Sequence, residues 1–363
     1  MTPIYIKQWT SLSFCLLLST PMAVLANDTE PWQVQGEYYL FGAVADTVQP
    51  IGDRDTAAGL ARLSAQWVSS PTGQLHMTID HRHGLTSLPP SQWLPAAIGA
   101  RSVTGAPFSD QGWRLTHAYW DQTGWSGKVH AMAGYLDSTD FIDLYPYGSP
   151  YSGFANLHFS TGSGTIVLPD EASIGGMIRD KLSPHYYLQL SVSDASADSS
   201  HPWQRAGDVF HDGRTFEAVE LGWVADPDQA LMNQFHVTGW QSDGGERERE
   251  PQAGMSFSWT AALGAWTPFL RGGIAHGSQV LYSTSVVAGT GYEGIGSGAL
   301  GMAVGWGQAN EDKEVVHNAE LFYRVPLGAL TLTPTIQYVA PLRDEALAGH
   351  SWIMGLRARL ATP

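Results

Sequence analysis

The chain lacks most of what a soluble enzyme of its size carries. Its 363 residues include a single cysteine, Cys15, placed in an apolar stretch near the N-terminus. The rest of the chain therefore has neither a disulfide nor a thiolate metal site. Beyond that stretch there is no run of about 18 apolar residues, which excludes a transmembrane helix. Basic residues are scarce: 19 Lys and Arg against 34 Asp and Glu leave a formal charge of −15. That sign argues against a nucleic-acid partner, which needs basic patches. No internal repeat with a period of about 20–50 residues is visible, so a solenoid or propeller is not expected. What is plentiful is glycine (40) and tryptophan (14), which suits a β protein with tight turns and interfacial rings.

The N-terminus has the parts of a secretory leader. Lys7 gives a positive start, residues 12–18 an apolar centre, and Val24-Leu25-Ala26 a small-residue cleavage site. Phe14 before Cys15 does not fit a lipoprotein signal. Residues 1–26 are thus expected to be a signal peptide, and 27–363 a single domain.

Most of that domain alternates apolar and polar residues. In Ser183–Ser193, Tyr186, Leu188, Leu190 and Val192 oppose Tyr187, Gln189, Ser191 and Ser193. Strands that are greasy on one side and wet on the other cross a membrane only as a closed β-barrel. Candidate strands cover 33–43, 59–68, 74–85, 112–121, 125–136, 154–160, 172–180, 185–195, 215–223 and 233–241. They continue over 254–262, 265–275, 281–290, 298–307, 319–325, 330–339 and 351–360. Barrels of this kind prefer even numbers, so of these 17 segments 16 are expected to form the wall, the first being a terminal strand or a peri-barrel extension. Short turns (69–73, 122–124, 182–184, 263–264, 326–329) alternate with longer stretches (86–111, 137–153, 196–214, 242–252, 308–317). The expected fold is therefore all-β: a transmembrane antiparallel β-barrel of about 16 strands, with short periplasmic turns and longer outer loops.

Parity assigns the faces. Leu75, Met77 and Ile79 are expected toward lipid, with His76, Thr78, Asp80 and Arg82 toward the lumen. Ala61, Leu63, Ala65 and Trp67 oppose Arg62, Ser64 and Gln66; Trp352, Met354, Leu356 and Leu360 oppose Arg357 and Arg359. Arg114, Arg179, Arg271 and Arg324 also fall on the polar side. A lipid-facing charge near the midplane costs about 2–4 kcal/mol, which explains the sorting. Trp67, Trp113, Trp125, Trp223, Trp259, Trp266, Tyr323 and Tyr338 lie near strand ends, as girdle residues do.

One stretch carries a family pattern. Gly134-Tyr135-Leu136-Asp137, Asp140-Phe141-Ile142-Asp143 and Phe154-Ala155-Asn156 running to Phe159 resemble the Gly-x-x-Asp, Asp-Phe-x-Asp, Phe-x-Asn-x-x-Phe run of the carbohydrate-selective porin (OprB) family. Glu220-Leu221-Gly222-Trp223, Thr267-Pro268-Phe269-Leu270-Arg271, Glu320-Leu321-Phe322-Tyr323-Arg324, Leu332–Tyr338 and Trp352–Arg359 follow in the same order. The resemblance implies a 16-stranded outer-membrane barrel, inserted by the barrel assembly machinery as a monomer or homotrimer, that passes sugars. It also implies a loop folded inward to narrow the channel.

A sugar needs aromatics for its ring faces and planar groups for its hydroxyls. Asp137, Asp140, Phe141, Asp143, Tyr145, Tyr147 and Asn156 are the expected constriction. Arg62, His76, Asp80, Arg82, Arg114, Arg271, Glu320 and Arg324 are the expected pore lining, as a selectivity ladder or as structural Arg–Asp pairs.

No residue set reads as catalytic, and no metal site or cofactor is expected. His76, His81 and His83 read as surface or interface histidines. Gly296-Ser297-Gly298-Ala299-Leu300-Gly301 matches a dinucleotide fingerprint by letters, but a strand follows where a helix should. Asp194, Asp198, Asp208 and Asp212, and the run 244–250, read as outer-loop residues. Two other functions stay open at this point. One is an outer-membrane barrel enzyme of lipase type, which needs a Ser–His pair. The other is a secreted β-sandwich that binds glycans.

Overall fold

The computed structural model describes residues 31–169, 171–202, 213–244, 250–310, 313–344 and 349–362. The leader expected over 1–26, Asp208, Asp212 and residues 245–249 of the acidic run lie outside these. Sixteen strands follow one another: β1 (Trp32–Ala45), β2 (Asp55–Ser70), β3 (Gly73–Gly84), β4 (Gly112–Gly124), β5 (Val129–Leu136), β6 (Ser173–Lys181), β7 (Tyr186–Asp194) and β8 (Thr215–Val224). The second half is β9 (Gln234–Ser242), β10 (Gln252–Thr260), β11 (Trp266–His276), β12 (Tyr282–Ile295), β13 (Gly298–Ala309), β14 (Val315–Leu327), β15 (Leu330–Ala340) and β16 (Ser351–Ala361). Each pairs antiparallel with its sequence neighbours, and β1 pairs with β16 from Glu37–Ala361 to Ala45–Ile353. The sheet closes on itself, leaving no edge and ruling out the two-sheet sandwich.

Of the two readings of the first segment, the terminal strand holds and the extension falls: β1 is a full wall strand, bonded to both β2 and β16. The surplus segment is 154–160, which forms a single tight turn, Leu157–Phe159, inside a long loop. It mimics a strand because Phe154, Asn156, His158 and Phe159 are all completely buried. The strand expected from 125 starts at Val129, because Trp125 and Ser126 have φ of 45° and 56° and form the preceding turn.

Face assignment follows the parity. Leu63 and Met354 are 54% and 64% exposed on the outer surface, while Thr78, Asp80 and Arg357 retain 7%, 0% and 3%. The outward belt is apolar around the whole barrel, and an apolar patch of that extent belongs against lipid. Rings mark its margins: Trp32 stacks on Trp67 at 6.0 Å and Trp266 meets Tyr292 at 4.4 Å near the short turns. Tyr338 meets Trp352 at 5.1 Å near the long loops.

The lumen is largely filled, by two loops. The β3–β4 loop (85–111) was expected to be an outer loop; it packs inside the barrel. Its helical turns, Pro90–Trp93 and Leu94–Ile98, begin on a proline and stop at Gly99, whose φ of 77° suits glycine. Trp93, Leu94, Ile98 and Phe108 are fully buried against Phe41, Leu60, Val339 and Ile353. Burying each such side chain contributes about 1.5–3 kcal/mol, which drives the loop inward despite its turn residues. The second is the β5–β6 loop.

Candidate functional site: the channel constriction

The β5–β6 loop (137–172) is shaped by local geometry and then fixed by the wall. Asp137 caps its first turn, accepting from the Thr139 amide at 3.0 Å and hydroxyl at 2.6 Å. Asp143 takes a φ of 53°, and Gly162 and Gly164 take 68° and 76°. Between these bends the chain is rich in aromatics. Tyr145, Tyr147, Phe154 and Phe159 cluster with Phe269 and Phe322 of the inner wall.

Glycines on the wall make room for them. A Cβ on Gly291 would overlap the Tyr147 hydroxyl, and one on Gly305 would lie 2.7 Å from the His158 ring.

Polar anchors complete the docking. Asp143 pairs with Arg271 and accepts from His236 Nε2 at 2.9 Å and Gly162 N at 2.6 Å, while its own amide donates to Glu220 at 2.9 Å. Burial alone would raise the Asp143 carboxyl; Arg271 and the His236 N–H outweigh it and hold the group below its ordinary range. Arg271 also donates to Ser160 O at 2.6 Å and lies 4.0 Å over the Tyr145 ring. Glu320 accepts from the amides of Ala155 (2.8 Å) and Asn156 (2.9 Å). Arg324 donates to Ser152 O at 2.9 Å, and Arg357 to Pro150 O and Gly153 O at 2.7 and 2.8 Å.

A Ser–His pair sits among these anchors. Asn318 Nδ2 donates to His158 Nδ1 at 2.8 Å, so His158 Nε2 carries the proton it shares with Ser285 Oγ at 3.0 Å. That tautomer presents the serine with a donor rather than a base. Burial lowers the His158 pKa to about 3, and all three side chains are sealed from both lumen and lipid. The arrangement ties the loop to β12 and β14; it is not poised as nucleophile and base.

The open side of the lumen lies along β2–β4. There a bulge in β4 lets Thr78 face His117 while Ile79 faces Leu115, so Thr116 is the extra residue. Thr116 and His117 then both serve the lumen: Thr116 donates to Asp80 at 2.9 Å and His117 to Asp140 at 3.0 Å. Arg62 grips Asp80 through two bonds of 2.8 Å, donates to Tyr151 Oη at 3.1 Å and lies 4.5 Å over that ring. Across a cavity of about 310 Å³, Arg82 shares the lining with Asp137, Thr139, Asp140, Tyr151 and the loop backbone. A second cavity of about 450 Å³ opens outside it and also touches Arg82. Further in, His130 donates to Asp121 at 2.7 Å, His76 stacks on Tyr119 at 4.9 Å, and Arg179 covers Tyr187 at 4.6 Å.

All seven residues expected at the constriction lie on the inward loop, but in two roles. Asp137 and Asp140 face the cavity, and Phe141 packs between His117 and Tyr119. Asp143, Tyr147 and Asn156 are sealed beneath the loop, and Tyr145 shows only an edge to the cavity. Of the expected lining, Arg62, His76, Asp80, Arg82 and Arg114 belong to the open side, whereas Arg271, Glu320 and Arg324 hold the loop. Sequence reasoning passed over His236, and Glu220 entered it only as part of a motif. The inward parity of Gln234, His236 and Thr238 would have pointed to His236.

Comparison with known proteins places this geometry within a known fold. No family model matches the sequence, and no curated protein matches it. Among solved structures, OprB of Pseudomonas putida at high pH is similar with a TM-score of 0.75 and 14% identity, covering 92% of this chain and 94% of that one. Its low-pH structure gives 0.57 at 12% identity, covering 92% and 93%. A mutant of the Rhodopseudomonas blastica porin gives 0.57 at 11% identity, covering 91% and 100%. The fold is that of the porins: a 16-stranded closed barrel.

Proposed function

We propose that this protein is an outer-membrane porin through which carbohydrates diffuse passively, with no catalytic step. The observation that carries the reading is the constriction itself. Arg82 on the wall shares one cavity with Asp137, Asp140 and Tyr151 of the loop, and Arg62 lies over the Tyr151 ring from behind. Charges of both signs facing one cavity offer a neutral polyol many hydrogen bonds. Weak binding of that kind lets a solute enter and leave. The motif resemblance to the carbohydrate-selective porin family and the fold likeness to OprB both support sugars as the solute. Export by a cleaved leader over 1–26, insertion by the barrel assembly machinery, and a monomer or homotrimer in the bilayer complete the proposal.

Reconstitution tests it. Liposomes carrying the protein are expected to swell in isotonic monosaccharide, and bilayer currents to fall as sugar is added. Conductance that no sugar permeates or blocks would refute the assignment.

A further inference from the structure

We propose that the outer vestibule contains a subsite for anionic sugars, a sugar carboxylate or sugar phosphate, whose charged group is received by Arg82. The inference rests on the porin reading and adds a solute class to it.

Arg82 is the charged side chain among the residues that line both the outer cavity of about 450 Å³ and the constriction of about 310 Å³, with Gln279 the other polar one, so a solute passing from one to the other meets it. Its charge is poorly served. The carboxylate beside it, Asp80, already makes two 2.8 Å bonds with Arg62 and accepts from Thr116 at 2.9 Å. Arg82 Nη2 reaches Asp80 only at 3.7 Å. Its hydrogen bond to Gln111 Oε1 is a long one, 3.3 Å, to an atom that also accepts from Ser109 at 2.6 Å. Arg82 Nε is buried with no hydrogen-bond partner. The adjacent Arg114 also has an unpartnered Nε, but its charge is met by Glu171 at 2.6 Å.

A guanidinium largely removed from water, with a borrowed counter-ion and a fork of unused N–H donors, favours a carboxylate or phosphate oxygen. The surrounding wall suits the rest of a sugar. Ser91, Gln92, Ser109, Gln111, Ser196 and Gln279 supply hydroxyls and amides, and Glu171, the carboxylate there, is neutralised by Arg114. Asp137 and Asp140, deeper in, oppose onward movement of an anion, so such a solute dwells at Arg82. The expected signature is therefore block of ion current.

The test is current block in planar bilayers in KCl, with each solute added on the side of the long loops. Glucose is compared with gluconate, glucose 6-phosphate and inorganic phosphate. The half-blocking concentration of the sugar anions is expected to be roughly tenfold below that of glucose, the scale of one charge-assisted hydrogen-bonded pair. R82Q is expected to bring that ratio close to one, R82K to retain most of it, and K128Q, which removes an exposed turn cation, to leave it intact. The KCl conductance of each variant verifies that the channel has formed. Preference for one anion alone names the ligand as acid or phosphate. A ratio near one in the wild type, a ratio that survives R82Q, or equal block by inorganic phosphate overturns the subsite while leaving the porin reading in place. Failure of every sugar to block or permeate overturns the sugar reading itself.

Discussion

Arg271 on β11 and Asp143 in the β5–β6 loop, 128 residues apart, form an ion pair completely enclosed between loop and wall. The pair holds the inward loop at the point where its backbone turns through a positive φ. It therefore helps fix the width of the opening that the loop leaves in the barrel without lining that opening.

Breaking that pair from one side should release the loop. Asp143→Asn leaves a buried guanidinium uncompensated, at a cost of about 3–5 kcal/mol. The expected result is a larger single-channel conductance, weaker sugar block and a lower melting temperature in detergent. Unchanged conductance would show that the loop is held elsewhere.

Steric docking gives an independent test. In Gly291→Ala the new methyl would overlap the Tyr147 hydroxyl, and overpacking of this kind costs about 1–3 kcal/mol. Because the two groups touch, Gly291→Ala and Tyr147→Ala should be strongly non-additive in a double-mutant cycle of melting temperatures. Additive losses would contradict the contact.

Acid should loosen the same loop from its far end. His158 is neutral when buried, with its pKa lowered to about 3, whereas an unfolded histidine titrates near 6.5. Above about 6.5 both states are neutral and pH has no effect through this group. As pH falls from there toward 3, the unfolded state takes up a proton that the folded state refuses. Stability then drops by about 1.4 kcal/mol per pH unit. His158→Asn should flatten that slope in denaturant titrations between about pH 6 and 4, inside this window; an identical slope in the variant would reject the argument.

Ion selectivity should track the two carboxylates in the cavity. Asp137 is pushed up by burial and by the neighbouring Asp140. For Asp140, burial acts upward but the His117 hydrogen bond and charge prevail and hold it low. Acidification therefore neutralises Asp137 first, beginning above the ordinary carboxylate range. The reversal potential in a KCl gradient should shift toward anions over that interval. Asp137→Asn should remove this early part of the shift and leave the later one; a variant that titrates like the wild type would rule out Asp137 as its source.

The apolar loop is the last test. Trp93→Ala deletes a fully buried ring from the β3–β4 loop, a change worth about 3–5 kcal/mol. Lower thermal stability with increased conductance is expected; a melting curve like that of the wild type would mean that the loop contributes no packing.

Much of the wall was legible in the sequence, because a strand between lipid and water must alternate wherever it runs. Met77 and Ile79, exposed, against Thr78 and Asp80, buried, is such a case, while Leu75, His76 and Arg82 on the same strand are all half-buried. The rule failed where both faces are buried. Phe154 to Phe159 has a strand's alternation but lies in the lumen, and Trp93 to Ile98 sits among turn residues yet packs as core. The constriction residues were found as a segment, not as roles. Nothing local separates Asp140, open to the cavity, from Asp143, sealed under the loop three residues later.

The sequence by itself determined a closed barrel, because period-two alternation without a continuous apolar run has one stable answer in a membrane. Which polar residues meet the solute and which merely fasten the loop was decided only in three dimensions. The partners that make the difference, Arg271 for Asp143 and His117 for Asp140, come from strands on different parts of the wall, and pairing across a lumen leaves no trace in local spacing.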